Sequence, residues 1–320
     1  MQFRSITPAE VTAFATIAGD AERSAALEEQ LRGYIAGGYG DPGWLWIAEE
    51  GGQIFGRLAY TGNRGQGFPS YVVWMDVASG QDETTVAGGL MQASLAKLRV
   101  PELRLVEAIL DAPSPFTADP ARFATLLAEA GFHLVVDRRR FEWTPRSLTP
   151  PAPTRLQFRT LTEAGDEAYI TTMARITEGS LDNYTQESVR ELGPLEAARQ
   201  HYRDEQRFQR HWEPHWWQLG LLPTGEIVGL VMPAENDQWP NIGYIGVVPG
   251  QRGHGYSQEL LAQGTRTLIA EGAKRIIADT DLGNTPMANT FLRMGYCQFA
   301  TRQFWALALD ADEPTQATTM

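Results

Sequence analysis

Phe3-Arg4-Ser5-Ile6-Thr7 returns far downstream as Phe158-Arg159-Thr160-Leu161-Thr162, and this internal echo restricts the fold more than any other feature of the chain. Two more matches follow in the same order. Gly52-Gln53-Ile54-Phe55-Gly56 corresponds to Gly225-Glu226-Ile227-Val228-Gly229, each after a segment rich in Trp. Gly131-Phe132 leads to Arg138 at the spacing by which Gly295-Tyr296 leads to Arg302. Aromatics close both copies, Phe141 and Trp143 in one, Phe304 and Trp305 in the other. A chain of 320 residues therefore has to build one architecture twice, in two domains of about 150 residues.

Between the copies, Pro150-Pro151-Ala152-Pro153 reads as a semi-rigid linker. The predicted organisation is a first domain over 1–145, a linker over 146–154, a second domain over 155–309 and a disordered acidic tail over 310–320. Each copy gives the order strand, two helices, three-strand meander, helix, strand, helix, strand, a mixed α/β (α+β) pattern. In the second copy strands are expected near 156–160, 216–222, 226–232, 242–248, 274–280 and 298–307. Helices are expected near 163–177, 185–209, 255–272 and 285–294. Thr7 and Thr162 are suited to cap the helices that open each copy.

Composition narrows the class of protein. Hydrophobic residues at 43 % suffice for a core in each domain, but no apolar run is long enough to cross a membrane. The start, Met1-Gln2-Phe3-Arg4-Ser5, lacks the charged-then-apolar order of a signal peptide. Cys297 is the only cysteine, so no internal disulfide is available and a reducing cytoplasm is expected. A net charge of −12 argues against a nucleic-acid partner and is compatible both with a basic substrate and with plain solubility. Nothing in the sequence speaks to oligomeric state. His211 and His215 stand four apart, yet Pro214 breaks a helix between them and no third ligand is evident, so no metal is predicted.

The second copy carries a motif suited to anions. An apolar strand from Ile242 to Val248 runs into Arg252-Gly253-His254-Gly255-Tyr256-Ser257, and a helix follows with Leu260, Leu261, Leu268 and Ile269 on its apolar face. Such a turn aims free backbone N–H groups and a positive dipole end at one place. Gly253 and Gly255 let a ligand approach without a Cβ in the way. Downstream, the strand Arg275–Thr280 leads to Asn284, and a helix carries Met287 and Phe291 before stopping at Gly295-Tyr296.

These two motifs, in this order and with a strand between them, resemble those of the GNAT acetyltransferase superfamily. The superfamily's pyrophosphate motif is Arg or Gln, two residues, Gly, one residue, then Gly or Ala; Arg252, Gly255 and Ser257 occupy those positions, with Ser in place of Gly or Ala. The resemblance implies two tandem GNAT-like domains, each a mixed sheet whose fourth and fifth strands splay apart. It implies acetyl-CoA or another acyl-CoA as cofactor and direct transfer to a primary amine of a small molecule. Cofactor contacts would come from Val247, Val248, Arg252, Gly253, His254, Gly255, Tyr256, Ser257, Asn284 and Phe291. Aligning the copies sets Asp82, Glu83 and Thr85 opposite Arg252, Gly253 and Gly255, so the first domain is expected to keep its helix and lose its nucleotide.

Proton handling departs from the superfamily pattern. The usual tyrosine acid is replaced by Phe291, and the usual strand glutamate base aligns with Asn241. Remaining candidates are Glu235 and Asp237, acting through water, and Tyr296, with Tyr244 and Tyr256 as further hydroxyls. Glu178, Asp182, Asp279 and Asp281 are candidates to hold a cationic acceptor. A non-catalytic acyl-CoA-binding or regulatory protein is the alternative that the two missing proton carriers support.

Overall fold

A computed structural model describes residues 1–65, 67–98, 105–236 and 238–308. The chain forms two compact units, Met1–Asp137 with the segment from Thr301 onward, and Arg138–Ala300. The domain boundaries expected from the repeat therefore move. The closing strand of each repeat leaves its own copy: residues from 138 complete the second unit and residues from 301 complete the first.

In the first unit the elements run β1 (Gln2–Ser5), α1 (Val11–Ala15), α2 (Ala21–Gly37), β2 (Leu45–Glu50), β3 (Gln53–Thr61), β4 (Tyr71–Val77), α3 (Glu83–Lys97), β5 (Leu105–Ala112) and α4 (Pro120–Glu129). β6 (His133–Trp143) then passes into the second unit, which continues with β7 (Gln157–Thr160), α5 (Leu161–Ala164), α6 (Asp166–Ile176), α7 (Asn183–Leu192), α8 (Pro194–Phe208), β8 (Gln218–Leu221), β9 (Ile227–Glu235), β10 (Pro240–Val247), α9 (Tyr256–Ala270), β11 (Ile276–Asp281) and α10 (Thr285–Arg293). β12 (Cys297–Ala308) returns to the first unit. Each of the two expected long helices at the start of the second copy is cut in two. Gly165, at φ 78°, separates α5 from α6, and Gly193, at φ 77°, separates α7 from α8.

The sheet of the second unit has the order β7-β8-β9-β10-β11-β6. β7 to β10 are antiparallel neighbours, β10 and β11 are parallel, and β6 runs antiparallel along the far edge of β11. The register of that edge sets Arg138 opposite Asp281, Arg140 opposite Asp279 and Trp143 opposite Ile276. Alternation sends Phe141 and Trp143, 0 % and 3 % exposed, into the core with Leu260, Ile276, Phe291 and Tyr296. The first unit repeats the order as β1-β2-β3-β4-β5-β12.

The expected splay is present in both sheets. Among the described residues β10 and β11 pair only at Asn241 and Ile277, and β4 and β5 only at Tyr71–Glu107 and Val72–Ala108. Beyond those points no sheet partner is found among the described residues for the facing edges of the parallel strands, which leaves backbone donors and acceptors exposed in a cleft.

The stretch 146–154 is irregular, as a linker should be, but it packs within the second unit. Trp143 Nε1 donates to the Leu148 carbonyl at 3.0 Å, and Arg266 donates to that of Pro150 at 3.3 Å. Leu148 also covers Gly295, where any Cβ would meet its backbone. The tail expected over 310–320 lies outside the described residues.

Candidate functional site

Two cavities lie along the split between β10 and β11. The first, of about 410 Å³, is walled by Ile245–Val247, by the turn from Gln251 to Ser257 and by Asn284, Pro286, Met287 and Thr290. The second, of about 620 Å³, lies between α7, α8, β10 and β11. Ile176, Ser180, Ile245, Asn284 and Met287 line both, so the cavities meet at the middle of β10.

The glycine turn is built as an anion site. Gly255, at φ 80°, is the N-cap of α9 and offers no side-chain oxygen to it. Gly253 is also left-handed, at φ 81°. Among the described residues, the N–H groups from Gly253 to Ser257 find no acceptor in the protein. They are the orphan donors of a helix start, and the dipole adds positive potential at the same point. At the corresponding place in the first unit, Asp82 caps α3 itself, accepting from Thr85 N at 3.3 Å and from its hydroxyl at 2.6 Å. Glu83 beside it binds Arg122 at 2.7 Å.

Other members of the motif have local duties. Arg252 was expected to face phosphate. Its guanidinium instead donates to four carbonyls, those of Ile176 (2.8 Å), Glu178 (2.7 Å), Gly179 (3.2 Å) and Val247 (3.1 Å). It fastens the end of α6 to the end of β10 and thereby shapes the mouth of the smaller cavity. Arg252→Ala should weaken acetyl-CoA binding about tenfold, the equivalent of one lost charge-assisted hydrogen bond of about 1.5 kcal/mol, as read by calorimetric titration. Ser257 Oγ bonds Thr290 Oγ1 at 3.0 Å and ties α9 to α10. Asn284 caps α10, accepting from Met287 N at 3.3 Å, and still lines both cavities.

Several expected cofactor contacts shift. Val247, Gly253, Gly255, Tyr256 and Ser257 line the smaller cavity as expected. Val248 does not; it is fully buried and pairs with Val228 across to β9. His254 is exposed, its Nδ1 lies 3.3 Å from the Gln251 carbonyl, and its own carbonyl accepts from Arg155 at 2.8 Å. Phe291 is 1 % exposed, packs on Phe141 at 5.0 Å between centroids, and lines the larger cavity rather than the smaller.

The proton carriers proposed from sequence also move. Tyr296 is a core residue whose hydroxyl is closed onto Thr265 at 2.7 Å; burial pushes its pKa up and it lines neither cavity. Glu235 sits outside both cavities, in a backbone bridge with His211. Asp237 lies outside the described residues. Glu178 is exposed and contributes only its carbonyl. Asp182 and Asp279 do line the larger cavity, each beside an arginine: Arg138 is 3.6 Å from Asp182, and Arg140 is 3.2 Å from Asp279. Asp281 is 3 % exposed and works behind the wall, accepting from Arg138 Nε at 3.1 Å and from Asn183 N at 2.7 Å. Burial raises its pKa, and those two donors oppose the rise.

Sequence reading placed a helix here but missed the acid on the buried face of α8. Its inner face bears Ala198, Tyr202 and Glu205 at helical spacing, and an acidic residue in an otherwise apolar row was the available signal. Glu205 is 9 % exposed and lines the larger cavity. Burial, reinforced by the charge of Asp204, pushes its pKa up to about 7 although a hydrogen bond from Gln209 opposes the shift. His201, one turn earlier, lines the same cavity, stands edge-on to Tyr244 at 5.2 Å and has its pKa lowered by burial. Among the described residues no three of His, Cys, Asp or Glu are close enough together to hold a metal.

A sheet parted beside its parallel pair, with a bare helix N-terminus aimed into the split, is the fold of solved acetyltransferases. Residues 181–296 match the model of the acetyltransferase (GNAT) family, which uses acyl-CoA, and the chain takes the fold in two copies. A GCN5-related N-acetyltransferase from Sphaerobacter thermophilus has the same fold, with 18 % identity, a TM-score of 0.52, and coverage of 96 % of this chain and 95 % of that one. A tandem GNAT protein from the clavulanic acid biosynthesis pathway aligns over 98 % and 99 % at 15 % identity and a TM-score of 0.45. A GCN5-related N-acetyltransferase from Kribbella flavida aligns over 90 % and 96 % at 18 % identity and a TM-score of 0.48. No curated protein sequence matches this chain. Family and fold support acyltransferase activity. No helix among the described residues is long and apolar enough to cross a membrane.

Proposed function

We propose that the second unit transfers an acetyl group from acetyl-CoA directly to a primary amine of a small cationic molecule, and that the first unit binds no nucleotide. The observation that carries this reading is the meeting of two unlike cavities at one strand. One ends in unsatisfied N–H donors and suits a pyrophosphate; the other has Asp182, Asp204, Glu205 and Asp279 in its wall and suits an ammonium. A thioester lying along β10 would present its carbonyl carbon where they join. Backbone N–H groups on the unpaired side of β10 are then available to the oxyanion as charge builds on it. The register of β9 and β10 slips between Ile242 and Tyr244, a bulge that re-aims the strand at this junction. Such bulges are frequent beside active sites. A cytoplasmic setting fits an acyl-CoA donor and the single exposed thiol of Cys297.

Calorimetric titration with acetyl-CoA, followed by thiol release with a panel of primary amines, tests the reading. One acetyl-CoA per chain and turnover with an amine are expected. Two per chain would mean that Asp82 and Glu83 do not close the first unit. No binding would remove acyl transfer altogether. The alternative of a non-catalytic acyl-CoA binder draws on Phe291, which brings no hydroxyl to the wall; binding without thiol release from any amine would favour it.

A further inference from the structure

Direct acyl transfer requires the acceptor ammonium to lose a proton before its nitrogen can attack. Of the two carboxylates that sequence reading offered for that task, Glu235 lines neither cavity and Asp237 lies outside the described residues, and Asn241, aligned with the usual strand glutamate, has no basic oxygen. The cavity nevertheless holds a carboxylate set apart from the rest. Asp182 is engaged by Arg138 and by the N-terminus of α7, and Asp279 by Arg140. Glu205 has no cationic partner among the described residues and is bonded by the neutral Gln209.

Its mounting is specific. Glu205 Oε2 accepts from Gln209 Nε2 at 3.1 Å, and Gln209 Oε1 in turn accepts from Asn241 Nδ2 at 3.2 Å. The amide of Asn241 thus reaches the carboxylate through Gln209, and one oxygen of Glu205 is oriented while no donor to Oε1 is found among the described residues. The carboxylate also lies against the bulge of β10. A Cβ on residue 243 would collide with Oε2, so Gly243 is what admits the acid to the strand in the wall of the larger cavity.

We propose that Glu205, carried on α8, is the catalytic residue that takes the proton from the acceptor ammonium, with Gln209 and Asn241 as positioning residues. The proposal rests on the acyl-transfer reading and goes beyond it by naming the base. One ammonium proton passes to Glu205, and the freed lone pair forms the C–N bond at the thioester carbonyl. The C–S bond breaks with its electron pair on sulfur, and the thiolate takes a second proton from the nitrogen as the tetrahedral intermediate collapses. Glu205 returns the first proton to solvent, so the balance is amide, thiol and one proton.

The surroundings set the pH response. Sharing the cavity wall with Glu205 are Asp204 and His201 on its own helix, Tyr244 from β10, Asp182 from the start of α7, Asp279 from β11 and Arg138 from β6. Burial lowers the pKa of His201 and raises that of Tyr244. The pKa of Glu205 is pushed up to about 7, and its base form predominates above that value. Activity rises with pH through that value. The same burial makes the folded protein bind a proton that the unfolded chain does not, so this group's contribution to stability falls as pH rises through 7.

The test compares the parent with Glu205→Gln, using acetyl-CoA and two acceptors, 1,4-diaminobutane and hydroxylamine, the latter largely unprotonated at neutral pH. Glu205→Gln should lose about 10²- to 10³-fold in kcat/KM with the diamine and lose the acid limb, while acetyl-CoA affinity and turnover of hydroxylamine stay within a few-fold. It should melt no lower than the parent at alkaline pH, where the parent carries a buried charge. Gln209→Met should keep the limb and move it to higher pH, since the bond it removes lowers the acid's pKa. Diamine turnover within a few-fold of the parent, with the acid limb retained, overturns the proposal. So does an equal loss with both acceptors, which marks a structural role. Acetyl-CoA binding with no turnover by the parent sinks the acyl-transfer reading, and the assignment of Glu205 falls with it.

Discussion

Gly255→Glu abolishes acetyl-CoA binding and leaves the protein folded. Gly255 is the N-cap of α9, at φ 80°, a conformation that costs a side-chain-bearing residue about 1–2 kcal/mol. No neighbour lies closer than Arg155 Nη2, 3.5 Å from where a Cβ would stand, so a carboxylate is accommodated without a clash. That cost is small beside the 5–15 kcal/mol of an ordinary domain. The effect on the ligand is of another order. A carboxylate at this position takes up the orphan N–H donors that would hold pyrophosphate and sets a negative charge against it. Asp82 already does this at the start of α3 in the first unit, where its pKa is held below the usual carboxylate range by Thr85. Calorimetry should find no heat of binding while the thermal melt shifts by only a few degrees. Unchanged affinity would remove the pyrophosphate assignment.

A fragment starting at residue 151, the boundary that the repeat suggests, should not fold, whereas 138–300 should fold and bind acetyl-CoA. Residues 138–143 form the edge of the second sheet and pair along all of β11. Without them the core loses Phe141 and Trp143, each worth about 3–5 kcal/mol by large-to-small substitution, which together approach the whole stability of a domain. The unpaired edge of β11 then invites aggregation. The loss also unmakes the larger cavity, since Arg138 lines it and holds Asp182 and Asp281. Circular dichroism and gel filtration of the two fragments decide the matter; a folded, acetyl-CoA-binding 151–320 would show that β6 is dispensable to the unit.

Much of the donor site was legible because its physics is local. A helix start, a glycine at positive φ and a free N–H are properties of adjacent residues, and Gly253-His254-Gly255 displays all three. Arg252 shows the limit of that reading. Its charge suggested phosphate, but the three carbonyls at the end of α6 that claim it lie more than seventy positions away in sequence. Tyr296 and Glu235 failed as proton carriers for the same reason. A hydroxyl is useful or inert according to what packs around it, and Thr265 with the core around it closes off that of Tyr296.

What the amino-acid order determined alone was the repetition, the mixed α/β element pattern and the glycine turn. Each follows from periodicity and backbone freedom within a dozen residues. Only the tertiary structure decided which closing strand completes which sheet. The copies end in similar aromatic strands, and pairing is settled by register and burial across the whole fold. Tertiary structure also decided that Glu205, one acid among many along the chain, is buried beside Gly243 and Gln209. Its desolvation is a property of the surrounding space, to which residues from four separate elements contribute.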